Sequence, residues 1–146
     1  MATVADVLRA KPHKVVYRIA PDATVFEAVL QMEQRNVGAL LVMDGTRIVG
    51  IVTERDYARK IVLLDRSSRA TRVSDIMTAA VLCVSPERAL EECMALMTET
   101  RVRHLPVMRD DELVGLVSIG DLVKHIISEQ TFVIEQLERY IAGRRD

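Results

Sequence analysis

The sequence predicts an α+β protein made of two tandem copies of one β-α-β-β-α motif, followed by an amphipathic C-terminal helix. Three observations carry that expectation. Shifting the chain by 65 positions superimposes Ile19–Val62 on Val84–Ile127 without a gap, and twelve of those 44 pairs are identical, among them Pro21/Pro86, Glu27/Glu92, Met32/Met97, Leu40/Leu105, Gly50/Gly115 and Asp56/Asp121. Average composition would give about three identities by chance. Within each copy, apolar residues at helical spacing alternate with continuous apolar runs of strand length. Each copy also ends in glycine, two apolar residues, a hydroxyl residue and an aspartate three positions later: Gly50-Ile51-Val52-Thr53-Glu54-Arg55-Asp56 and Gly115-Leu116-Val117-Ser118-Ile119-Gly120-Asp121.

Each copy begins with a short helical turn, Val4–Leu8 or Val73–Met77, matched at a shift of 69 rather than 65. The first copy therefore carries four extra residues around Arg9-Ala10-Lys11-Pro12. A β segment follows at Lys14–Ile19 or Ala80–Val84, and a proline breaks the chain. The next helix spans roughly Thr24–Asn36 or Ala89–Arg101. Val25, Ala28, Val29 and Met32 recur at i, i+3, i+4 and i+7 as one apolar stripe, repeated by Leu90, Cys93, Met94 and Met97. Thr24 and Glu27 have capping-box spacing, whereas Ala89 leaves the second helix to cap from Ser85 or not at all. Ala39–Met43 and His104–Met108 read as buried strands. Turns at Asp44-Gly45-Thr46 and Arg109-Asp110-Asp111 return the chain as hairpin partners over Arg47–Thr53 and Glu112–Ser118. A last helix starts near Glu54 or Gly120. The polar stretch Asp65–Arg72 is the expected linker. The domain division is 1–66, 67–130, and a C-terminal helix and tail over 131–146. Phe132, Val133, Leu137, Tyr140 and Ile141 share one side of that helix, and Gly143–Asp146 should fray.

Composition narrows the function classes. A formal charge of −1 supplies no basic field for nucleic acid or anionic membrane, and 3% aromatic content is poor in stacking platforms for single strands. No apolar run has the length of a membrane span, and Met1–Ala10 lacks the apolar centre of a signal peptide. Cys83 and Cys93 form no CxxC and no metal-ligand spacing with His13, His104 or His125, as suits reduced thiols in the cytoplasm. No Ser/His/Asp, Cys/His, paired-carboxylate or metal constellation is visible, so catalysis and a catalytic cofactor are not expected. The hydroxyl-x-x-Asp pattern has the spacing of a helix cap, with the hydroxyl at N-cap and the acid at N3. A nucleotide site is the competing reading of the same pattern. The two roles are compatible.

Two copies of this motif, with Asp75-Ile76-Met77-Thr78, Val102-Arg103-His104-Leu105-Pro106-Val107 and the two Gly-to-Asp stretches, resemble a tandem pair of CBS (cystathionine β-synthase) domains, the Bateman module. The resemblance covers roughly residues 3 to 128, and the sequence shows no attached enzyme or transporter domain. It implies approximate two-fold packing of the motifs and two clefts that take adenine nucleotides: AMP, ADP, ATP, NAD or S-adenosylmethionine. Carried over by position, one cleft combines Thr53, Arg55 and Asp56 with Thr78, Ala80, Val81, Arg103, His104, Leu105 and Pro106. The other combines Ser118 and Asp121 with Lys14, Val15, Val16, Val37, Gly38, Ala39 and Leu40. Arg55, Arg103 and His104 would make the first cleft the more positive, since arginine forks suit phosphate. Gly120 and Gly38-Ala39 stand in their places in the second. His104 is equally at home as a structural strand residue. The resemblance further implies a homodimer and a regulatory, signal-transducing role toward a partner that the sequence does not name. The competing readings are a ligand-free interaction module and an enzyme acting on its bound nucleotide.

Overall fold

The computed structural model describes residues 1–11 and 15–143. The chain packs as two compact units, the first built from two separate stretches: unit 1 is Met1–Lys14 with Cys83–Asp146, and unit 2 is Val15–Leu82. Each unit has its own aliphatic core.

In unit 2, helix α2 (Val25–Arg35) starts at Thr24, whose Oγ1 accepts the Glu27 N–H at 3.1 Å while Glu27 Oε2 accepts the Thr24 N–H at 3.0 Å. Two of the N–H groups that a helix start leaves without partners are thereby satisfied. The helix ends at Asn36, which takes the left-handed conformation at φ 54° that asparagine tolerates well. The next strands, β2 (Ala39–Asp44) and β3 (Arg47–Thr53), form an antiparallel hairpin, and Gly45 at φ 63° opens its two-residue turn. A short parallel strand, β1 (Arg18–Ile19), pairs on the other edge of β2. The central strand is buried from Ala39 to Met43, hence its uninterrupted apolar run. Val25, Ala28 and Met32 pack into one core with Leu40, Val42, Val52 and Ile61, completed by Val73 and Ile76. The stripe on α2 is consumed in this core. After β3 come one α turn, α3 (Glu54–Tyr57), and a π-helical turn over Ala58–Val62.

Unit 1 repeats the plan with α4 (Leu90–Thr100), β4 (His104–Arg109), β5 (Glu112–Ser118) and α5 (Ile119–Ile141), preceded by the leading helix α1 (Val4–Ala10). Here Val4 and Val7 from α1 fill the places that Val73 and Ile76 fill in unit 2. The backbone bonds match as well. Leu90 N–H reaches Ala2 O at 3.3 Å and Ala5 N–H reaches Pro86 O at 2.8 Å. Val25 N–H reaches Thr71 O at 2.9 Å and Ser74 N–H reaches Pro21 O at 3.0 Å. The leading segments have thus changed places: each packs in the unit built from the other copy's helices and strands.

Two sequence expectations need correction. The stretch Asp65–Arg72 is not a free linker, because Thr71 is buried and the Ser68 and Thr71 carbonyls receive the first N–H groups of α2. The Arg69 guanidinium also lies 3.9 Å above the Phe26 ring. The first β segments are shorter than expected, amounting to Arg18–Ile19 in unit 2 and a lone parallel bridge from Val84 to Val107 in unit 1. Proline explains the second case. Leu41 N–H donates to Tyr17 O in unit 2, and the position equivalent to Leu41 is Pro106, which has no N–H to give. The expectations for Lys14 as a strand and ligand residue, and for fraying at Arg144–Asp146, lie outside the described residues.

Helix α5 runs unbroken for 23 residues and buries only Leu122 fully. Ile127, Phe132, Val133, Ile134, Leu137, Tyr140 and Ile141 are exposed along it. Among the described residues, no helix is long and apolar enough to cross a membrane.

Candidate functional site

Both Gly-to-Asp stretches end a strand and start a helix, and both form complete capping boxes. In unit 2, Thr53 N–H donates to Asp56 Oδ2 at 3.0 Å, Thr53 Oγ1 to the same oxygen at 3.1 Å, and Asp56 N–H returns to Thr53 Oγ1 at 3.2 Å. In unit 1, Ser118 N–H donates to Asp121 Oδ2 at 2.9 Å and Asp121 N–H returns to Ser118 Oγ at 3.1 Å. The cap role is therefore real. The same box also starts α1 through Thr3 and Asp6, so capping by itself does not single out the two later aspartates.

What sets the two later boxes apart is that each closes a full hairpin strand, Arg47–Thr53 or Glu112–Ser118. The N–H after each hydroxyl residue bonds to a carbonyl one strand away: Glu54 N–H to Gly38 O at 3.1 Å, Ile119 N–H to Arg103 O at 2.9 Å. Ala39 pairs with Thr53 across the hairpin, and His104 with Ser118. Thr78 closes the unit 2 site by exchanging N–H···O bonds with Ile51 at 2.9 and 3.0 Å. Unit 2 thus gathers Thr53, Asp56, Val37, Gly38, Ala39 and Thr78, whereas unit 1 gathers Ser118, Asp121, Arg103 and His104. The resemblance placed Arg103 and His104 with Asp56; within unit 1 they adjoin Asp121. Leu40, Leu105 and Pro106 are buried in strands, while Arg55, Ala80 and Val15 are exposed and Val16 and Val81 half-buried.

Two lysines absent from the sequence-based set hold the carboxylates. Lys60 Nζ lies 3.2 Å from Asp56 Oδ1 and donates to Ile76 O at 2.8 Å. Lys11 Nζ lies 2.9 Å from Asp121 Oδ2 and donates to Leu116 O at 2.9 Å. Leu116 is the counterpart of Ile51, whose carbonyl receives the Thr78 backbone N–H. In unit 1 a side-chain ammonium does the work of that amide. A sequence signal existed for Lys60, which stands four residues after Asp56. For Lys11 the only signal is the four-residue insertion that carries it.

The electrostatics of unit 1 follow from this arrangement. Burial pushes the Asp121 carboxyl up, but the Lys11 bond and the Ser118 amide outweigh it and hold the group below its ordinary range. Burial, with help from the Lys11 and Arg103 charges, holds His104 below the usual imidazole value against the pull of Asp121. The ring is therefore neutral near pH 7. It can exchange hydrogen bonds there but brings no positive charge.

Known proteins share this organisation. A family model described as the CBS domain matches residues 3–63 and 73–128. The CBS domain-containing protein CBSX3, mitochondrial, of Arabidopsis thaliana is 41% identical over 149 residues, covering 97% of this chain and 72% of its own. The structure of a protein with CBS domains from Burkholderia ambifaria MC40-6 is 55% identical with a TM-score of 0.86, over 88% of this chain and 96% of that one. The CBS domain pair of protein MJ0100, solved in complex with 5-methylthioadenosine and S-adenosyl-L-methionine, is 21% identical with a TM-score of 0.77, over 88% of this chain and 98% of that one, and shares the fold. With both of its copies matched over most of its length, the chain belongs to the CBS domain family.

Proposed function

We propose that the protein is a regulatory module that binds adenine nucleotides, AMP, ADP, ATP or NAD with S-adenosylmethionine as a further candidate, and signals their presence to a partner protein by a change of conformation. The doubled aspartate carries this reading. Each carboxylate is fixed by the backbone N–H of its own N-cap residue, beside a strand edge whose carbonyl is already tied to the helix start. A pre-oriented carboxylate of this kind suits the two hydroxyls of a ribose. Main chain at Val37–Ala39 and at His104–Pro106 can read the edge of an adenine ring. Phosphates suit the first turn of α5, where the helix dipole favours anions. The proposed contacts are Thr53, Arg55, Asp56, Thr78, Ala80, Val81, Arg103, His104, Leu105 and Pro106, together with Ser118, Asp121, Lys14, Val15, Val16, Val37, Gly38, Ala39 and Leu40.

Action by binding rather than turnover fits a site built from one carboxylate, hydroxyls and main chain. The unpaired thiols of Cys83 and Cys93 suit a reducing compartment such as the cytoplasm. Coupling to a partner requires the nucleotide to prefer one conformation over another. Calorimetric titration of AMP, ATP and NAD tests the reading. The wild-type chain should bind at least one of them, and Asp56→Ala and Asp121→Ala should each remove or weaken one class of site. No heat and no thermal stabilisation with any of the three at millimolar concentration would favour the second reading, a ligand-free interaction module. The exposed apolar face of α5 is the observation on the side of that alternative, and it also suits pairing with a second copy of this chain.

A further inference from the structure

We infer that Lys11 makes the Asp121 site select phosphorylated adenine nucleotides over the bare nucleoside. The inference rests on the nucleotide reading of Asp121 and adds a residue which that reading does not contain. Asp121 Oδ2 already takes two donors, the Ser118 N–H and the Lys11 ammonium, both at 2.9 Å. A carboxylate oxygen offers about two lone-pair directions, so Oδ2 has no room for another donor. Oδ1 accepts nothing among the described residues. A ribose that uses both of its hydroxyls needs both oxygens, and Lys11 must then give up Oδ2.

What happens to the displaced ammonium decides the selectivity. Its bond to Leu116 O remains, but a lone carbonyl is a poorer partner for a cation than a carboxylate. Adenosine is neutral and offers nothing in exchange. A 5′-phosphate hangs from the same ring as the diol and supplies a new anion, which the flexible four-carbon stem of lysine can follow. The two side chains are each about a quarter exposed, at 24%, so the exchange occurs in partial contact with water and its effect is moderate. The unit 2 site lacks this device. Its position equivalent to Lys11 is Ala80, a backbone N–H takes the Ile51 carbonyl, and Lys60 holds Asp56 through the outer oxygen Oδ1.

The test isolates the Asp121 site in an Asp56→Asn background, where the amide oxygen still accepts the Thr53 N–H but the charge is gone. AMP and adenosine are titrated by calorimetry into that protein and into its Lys11→Met and Lys11→Arg derivatives. The methionine keeps the apolar stem. The expected result is a preference for AMP that falls by about tenfold in Lys11→Met, adenosine binding more tightly and AMP less so, and that returns in Lys11→Arg; charge-assisted hydrogen bonds are of this strength. Parallel changes of both ligands in Lys11→Met, in either direction, or no change at all, would overturn the role of Lys11 and leave the nucleotide reading standing. Binding that survives a further Asp121→Asn, or no binding of either ligand, would overturn both.

Discussion

Gly50 and Gly115 lie outside the left-handed region, so their requirement is one of space. A Cβ on Gly50 would stand 2.6 Å from Met77 Sδ, 2.9 Å from its Cγ and 3.0 Å from Thr78 O. On Gly115 it would meet Leu8 Cδ2 at 2.8 Å and Cδ1 at 3.1 Å, with no backbone atom among its near neighbours. Leu8 and Met77 are the last residues of the exchanged leading segments. The glycine of each motif is the seat on which that segment lies. A leucine tip can rotate away; a carbonyl bonded into the Ile51–Thr78 bridge cannot move without breaking that bridge. Gly50→Ala should therefore lose about 1–3 kcal/mol of stability, the usual range for overpacking, and Gly115→Ala distinctly less. Urea denaturation of the two variants reads the difference directly. Equal losses would show that the backbone contact at Thr78 is as yielding as a side chain.

Helices α2 and α4 occupy equivalent places, yet only one has a side-chain cap. Ala89 stands where Thr24 caps α2. In α4 the first N–H is satisfied from outside, by the Ala2 carbonyl at 3.3 Å. Glu92 is already at the N3 position, so Ala89→Thr would supply the missing half of a box whose other half is present. The expected gain is about 0.5–2 kcal/mol, read as a rise in melting temperature with the denaturant slope unchanged. A destabilised variant would mean that the bridge between Thr3 and Ala89 leaves no room for the larger side chain. The helices, hairpins and caps were legible in the sequence because they depend on short-range spacing: apolar periodicity, Thr24 with Glu27, and the turn at Gly45. The reduction of the first strand in unit 1 to a single bridge was legible too, in the alignment of Pro106 with Leu41, but it requires knowing which face of the strand donates. The lysines were not legible. A lysine is usually solvated, and the bonds of Lys11 to Leu116 and Asp121 span more than a hundred residues, a separation about which no local pattern speaks.

At the scale of the whole chain, the duplication was plain from the 65-residue shift, but the exchange of leading segments was not. Val4–Leu8 and Val73–Met77 are similar enough to fit either core, and similarity cannot say which copy a segment joins. The geometry of the chain settles it, and the exchange ties each copy's fold to the other's. Helix α5 then extends past the last strand with no partner among the described residues for much of its length. Val123, Gln130 and Leu137 fall at one heptad position, Ile126, Val133 and Tyr140 at a second, and Ile127, Ile134 and Ile141 flank them. This is an apolar seam with a single polar residue in it, a pattern that favours one register between paired helices. Ile134 and Leu137 are more than half exposed, at 54% and 56%, and contribute little to the core of unit 1. A contiguous exposed stripe of this kind marks an interaction surface, and the occupant proposed here is α5 of a second copy. Ile134→Glu or Leu137→Glu should then convert a dimer to a monomer in sedimentation at micromolar concentration, while unfolding stays cooperative because the core is untouched. Glu135→Lys, on the opposite side of the helix, should leave the dimer intact. A wild-type chain that sediments as a monomer would refute the pairing.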